Sequence, residues 1–118
     1  MDQGHTITTH SDDVHVEVRL GGEVVASSDH PVLLDETGIP TRYYLPRDDV
    51  QADLRPIDLS THCPFKGDAS YWTIQVGDQT HDAIAWSYED PKAGVEEIEG
   101  LLSFFPDRAE ITVDGATL

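Results

Sequence analysis

The chain has 118 residues, 38% of them hydrophobic, and its 23 acidic side chains against 7 Lys and Arg give a formal charge of −16. That length fits one domain with a core of its own, needing neither disulfides nor metals, and the hydrophobic share lies above the disordered regime. The net field repels nucleic-acid phosphates and anionic membrane surfaces, no apolar run approaches the ~18 residues of a membrane span, and one cysteine excludes both an internal disulfide and a multi-cysteine zinc site.

The opening stretch MDQGHTITTHSDD lacks the basic start and apolar stretch of a secretion signal, so a cytoplasmic location is expected. The acids are spread along the chain rather than gathered in a tail, Lys occurs only at 66 and 92, and Asp outnumbers Glu. This pattern suits a solvated surface in the salt-rich cytoplasm of a halophile, where screening relieves self-repulsion. A generic acidic soluble protein fits the same composition.

Residues 1–12, polar and carrying His5 and His10, read as a flexible leader, and 13–118 as a single β-rich domain. From Asp13 to Arg19, Val14, Val16 and Val18 alternate with His15 and Glu17, which is the period of a half-buried strand. Gly21-Gly22 supplies a tight turn, and Glu23 to Ser27 the returning strand. Pro31 to Leu34 reads as a third strand and Thr41 to Leu45 as a fourth, stopped by Pro46. Asp48 to Ser60 has no clean period and reads mostly as loop. Ala69 to Val76 and Thr80 to Trp86 form a hairpin about Gly77-Asp78. A helix is expected over Pro91 to Phe105, with Asp90 as N-cap, Pro91 at N1 and an apolar stripe of Val95, Ile98, Leu102 and Phe105. Arg108 to Val113 is a last strand. The expected fold class is therefore mostly β (α+β): a curled antiparallel sheet or small barrel packed by one helix near the C-terminus.

The chemistry-bearing residues concentrate in Thr61 to Asp68, THCPFKGD. A thiol becomes nucleophilic beside positive charge, and His62 and Lys66 supply it for Cys63, with Asp68 alongside. Gly67 would let backbone amides face a ligand anion. The bland alternative makes Cys63 a small buried hydrophobe and pairs Lys66 with Asp68 across the turn. Arg47 offers a planar fork for carboxylate or phosphate, or else bridges Asp48 or Asp49. Tyr43 and Tyr44 point to opposite faces of a strand, so only one meets a given pocket. Trp86 and Tyr88 would build an aromatic wall with Glu89 at its rim; the competing reading makes Trp86 core.

No histidine spacing supports a metal, and the chain has no Walker loop, no dinucleotide fingerprint and no Gly-x-Ser-x-Gly elbow. Metal ligands are therefore not assigned, and no cofactor or oligomeric state follows from the residues.

The runs YYLPRDDV (Tyr43 to Val50), THCPFKGDASYW (Thr61 to Trp72) and AWSYEDP (Ala85 to Pro91) resemble the domain-of-unknown-function 427 family. GGEVVASS (Gly21 to Ser28) and FFPDR (Phe104 to Arg108) fit the same order, so the resemblance covers about residues 13 to 114. It implies a mostly-β fold and points to Tyr44, Arg47, His62, Cys63, Lys66, Asp68, Trp86 and Tyr88 as the characteristic polar and aromatic positions. The family carries the label "nucleotidyltransferase-like", yet the chain has no Gly-Ser followed by an Asp-x-Asp pair. Asp48-Asp49 are adjacent, and on a strand they would point apart.

The expectation is a pocket for a small, anionic molecule, with Arg47, His62, Lys66 and Asp68 as polar wall and Tyr44, Trp86 and Tyr88 as apolar wall. The first alternative is an enzyme using Cys63 as nucleophile in group transfer or nucleotidyltransferase-like chemistry; the second is a non-catalytic interaction module.

Overall fold

The computed structural model describes residues 6–118, so His5 lies outside the described residues. Strands β1 (Ile7–Ser11), β4 (Val32–Glu36) and β5 (Ile39–Tyr44) form one antiparallel sheet in the order β1-β4-β5. Strands β2 (Val16–Leu20), β3 (Glu23–Ser28), β10 (Glu110–Val113) and β11 (Ala116–Thr117) form a second, ordered β11-β10-β2-β3. The third holds the long strands β6 (Asp53–Cys63), β7 (Gly67–Val76) and β8 (Gln79–Tyr88), closed by the short β9 (Ser103–Phe104). The protein is mostly β, built from three antiparallel sheets, with neither a closed barrel nor an α-helix among the described residues.

The alternation read in the sequence shows directly in burial. Val16, Val18 and Leu20 are all about 1% exposed, while Glu17 and Arg19 on the other face pair with each other. Residues 7–11, expected in a flexible leader, pair with β4 in register from Ile7↔Glu36 to Ser11↔Val32. The stretch expected as loop becomes a 3-10 turn, Arg47–Asp49, followed by β6. Strand β6 is an edge strand whose residues are mostly exposed, and a register shift lies between Pro56 and Ser60. An edge has no second partner, so it shows no alternating burial and tolerates proline.

The expected helix over 91–105 is absent. Gly94 has φ +98° and Gly100 φ +70°, both in the left-handed region, which a right-handed helix cannot contain. Between them lies only a 3-10 turn, Glu96–Ile98. Val95, Ile98 and Leu102 are still buried, because the irregular segment is stitched to strands on either side. Gly100 donates its N–H to the Tyr88 carbonyl at 3.0 Å, and Leu45 and Leu102 exchange backbone hydrogen bonds at 2.8 and 2.9 Å. Burial at helical spacing thus arises without a helix.

Two apolar clusters result. The larger joins Val16, Val18 and Leu20 to Trp72, Ile74, Ile84 and Leu102. The smaller gathers Leu34, Tyr44, Ala69, Trp86, Tyr88, Val95 and Ile98 between the first and third sheets, and the candidate site is built on it.

Candidate functional site

Strand alternation sorts the third sheet into two faces. Tyr71 lies opposite Trp86, and Ala69 opposite Tyr88, on the face toward the smaller cluster. Trp72 lies opposite Ala85 and donates its indole N–H to Ser87 Oγ at 3.0 Å on the face toward the larger one. On β5, Arg42 and Tyr44 share a face, and Tyr43 packs on the opposite side against the larger cluster.

Where the two sheets converge, Glu36, Ile39, Arg42, Tyr44, Lys66, Tyr71, Trp86, Tyr88 and Phe105 line a cleft of about 200 Å³. Its aromatic wall is continuous. Trp86 donates its indole N–H to the Tyr44 hydroxyl at 3.1 Å, and the two rings meet edge to face at 6.3 Å. Phe105 lies 4.6 Å from Trp86 and stacks on Tyr71 at 6.5 Å. The Tyr71 hydroxyl is held 2.8 Å from Thr61 Oγ1.

The cleft's charges differ in their freedom. Lys66 Nζ bonds Glu36 Oε1 at 2.6 Å, and the two side chains are only 11% and 7% exposed. This pair is internally neutral. The Arg42 guanidinium lies 5.5 Å from the Trp86 ring centroid, and no carboxylate among the described residues reaches it. Burial pushes the Tyr44 hydroxyl up to about 12, partly offset by the bond from Trp86 and by Arg42. Burial also raises Tyr88, and the nearby Tyr44, Cys63, Tyr71 and Glu36 push in the same direction. Both phenols therefore stay protonated at any physiological pH.

Of the residues singled out in the sequence, Tyr44, Lys66, Trp86 and Tyr88 come together in this cleft. Arg47 does not. Its guanidinium lies 4.3 Å over Trp72, on the other face of the sheet. His62 pairs with Asp68 at 2.7 Å across β6 and β7, with both side chains largely exposed and turned away from the cleft face. Lys66 is bound by Glu36 rather than by Asp68. Cys63 packs against the smaller cluster, half-buried, but the two side chains expected to activate it, His62 and Lys66, are engaged elsewhere. Gly67 has φ +114°, and an added Cβ would sit 3.3 Å from the Asp90 carbonyl oxygen, so the glycine admits the loop at 90–92 instead of an anion. That loop bonds the turn through Lys92 N–H to Lys66 O at 2.9 Å and Lys92 Nζ to Pro64 O at 2.9 Å.

Glu36, Tyr71 and Phe105 carry no functional signal in the sequence, whereas Arg42 opens the candidate stretch RYYLPRDD, Arg42 to Asp49, in which the anion-holding role falls to Arg47. Arg42 was within reach, since it stands two residues from Tyr44 on a strand. Tyr71 needed the cross-strand register, and Phe105 was assigned to a helix stripe.

A different constellation lies on the outer face of the second sheet. Ser27 Oγ is 3.0 Å from His15 Nε2, and His15 Nδ1 is 2.7 Å from Asp29 Oδ1. The order is that of a nucleophile, base and orienting acid. The bond to Asp29 raises the His15 pKa, and Glu17 lies 3.9 Å from Nε2. These acids favour the imidazolium and oppose an oxyanion, so the arrangement serves as an ion-pair network.

A mostly-β protein of three sheets with an aromatic cleft between two of them is the class defined by this architecture. Residues 8–115 match the family described as domain of unknown function DUF427, and the chain belongs to that family. No curated protein matches the chain. No helix among the described residues is long and apolar enough to cross a membrane, and no group of three or more His, Cys, Asp or Glu among them is placed to hold a metal ion.

Proposed function

We propose that the cleft binds a small planar organic acid, its apolar body against Trp86, Tyr44 and Phe105 and its carboxylate on Arg42. The observation that carries this reading is an arginine on an aromatic wall without a carboxylate partner among the described residues, in a chain of 23 acids. Guanidinium and carboxylate match in two parallel hydrogen bonds, and a partly desolvated pair is stronger than one in water. The volume of about 200 Å³ lies below the ~300–1,000 Å³ of sites for drug-sized ligands, which fits a single ring with its substituents.

Titration calorimetry with benzoate and benzamide tests the charge requirement. Benzoate is expected to bind at least about tenfold more tightly than benzamide, and Arg42→Gln to remove that preference, since a hydrogen bond to a charged group contributes about 1.5–3 kcal/mol. Arg47→Gln is the control and leaves it intact. Equal affinity of the two probes, or an unchanged preference in Arg42→Gln, would refute the reading.

A further inference from the structure

Tyr88 is 6% exposed, yet its hydroxyl makes no hydrogen bond to any described residue. The groups that act on it electrostatically are Tyr44, Cys63, Tyr71 and Glu36, three of which line the cleft. Neighbouring hydroxyls are already engaged: Tyr44 accepts from Trp86, and Tyr71 is bonded to Thr61. Among described side chains, the one nitrogen or oxygen that is both sealed from solvent and unbonded is His81 Nε2. The Tyr88 hydroxyl is therefore not sealed, and the space it opens to is the cleft.

We infer that Tyr88 determines specificity by donating a hydrogen bond to a second polar group on the ligand, so that the cleft selects hydroxylated or carbonyl-bearing planar acids over unsubstituted ones. Once a ligand displaces water from the cleft, a donor left without an acceptor weakens binding, so a ligand that satisfies it gains over one that leaves it empty. Arg42 acts electrostatically on Tyr44 and Tyr44 on Tyr88, and all three line the same cleft, so both recognition points lie within it. Tyr88 differs from Arg42 in what it reads. The guanidinium answers to charge, whereas a protonated phenol is uncharged and answers to hydrogen-bond geometry, here as donor to an acceptor lone pair.

This inference rests on the organic-acid reading, and one panel separates the two. The probes are benzoate, benzamide and the 2-, 3- and 4-hydroxybenzoates, titrated into wild type and Tyr88→Phe. At least one hydroxybenzoate is expected to bind about threefold to tenfold more tightly than benzoate, and Tyr88→Phe to bring the two to equal affinity. Thermal melting of unliganded Tyr88→Phe supplies a second readout. Removing an unpaired hydroxyl leaves the melting temperature equal or higher, whereas a hydroxyl bonded within the protein would lower it. If benzoate exceeds benzamide but every hydroxybenzoate merely equals benzoate, or if the preference survives in Tyr88→Phe, Tyr88 has no such role and the organic-acid reading stands. If neither benzoate nor any hydroxybenzoate binds, both fall.

Discussion

At the scale of single residues, the ionisable groups outside the cleft respond to pH in opposite directions. Asp35 accepts from the Thr41 hydroxyl at 2.5 Å and lies 2.8 Å from His10 Nε2, and these contacts, the hydroxyl first, hold its carboxyl below the ordinary aspartate value. A lowered pKa contributes stability that is present above the unfolded value of about 3.9 and is lost as pH falls through the folded one. His15 runs the other way. Its bond to Asp29 is the largest cause of the upward shift, with Glu17 and Asp114 adding to it. Its contribution is complete below the unfolded value of about 6.5 and is lost as pH rises through the folded pKa. A proton NMR titration of the His15 ring is therefore expected to have its midpoint above 6.5, and Asp29→Asn to move that midpoint down. Because Glu17 and Asp114 remain in the variant, the return is partial. A midpoint that Asp29→Asn does not shift would contradict the assignment.

At the scale of elements, Gly100 separates the helix expected from the sequence from the irregular segment in the structure. In a helix interior, Gly→Ala stabilises by about 1 kcal/mol. At φ +70°, with nothing within 4 Å of an added Cβ, the substitution meets no clash but forces alanine into the left-handed region. Gly100→Ala is thus expected to destabilise by about 1–2 kcal/mol in urea denaturation, opposite in sign to the helical case. The same segment shows what could be read in advance. Strands with one covered face, such as Val16–Leu20, carry their period in the sequence because burial alternates with the pleat. The edge strand β6 carries none, since most of its side chains meet water on both faces. Val95, Ile98 and Leu102 repeat at helical spacing only because an extended, turning chain meets the core at those points. For the site, Tyr44, Trp86 and Tyr88 were legible as aromatics near strand ends. The exchange of Arg47 for Arg42 was not, because it depends on which face of the third sheet each guanidinium reaches.

At the scale of the whole molecule, the seven cations are nearly all committed. Arg19, Arg55 and Lys66 pair with Glu17, Asp53 and Glu36. Arg108 bonds the backbone carbonyls of Asp82 and Ala83, and Lys92 that of Pro64. Arg42 and Arg47 lie on tryptophan faces. Among the described residues only Glu17, Asp53 and Glu36 pair with an Arg or Lys, so most of the acids lack a compensating Lys or Arg. Exposed charges interact over about 10 Å at 0.1 M salt and about 3 Å at 1 M, so added salt removes repulsion that opposes the folded state. The melting temperature at pH 7 is expected to rise between 0.1 and 1 M NaCl. Near pH 4.3, where the sequence is close to neutral, the same increment should have a much smaller effect, because little net charge remains to screen. That comparison isolates self-repulsion from the general action of salt on apolar burial, which is present at both pH values. The Lys66–Glu36 pair, largely withdrawn from solvent, is screened far less, so the cleft keeps its internal neutrality as the surface loses its repulsion. A melting temperature that falls with NaCl at pH 7, or that rises equally at both pH values, would show that the −16 charge does not limit this fold.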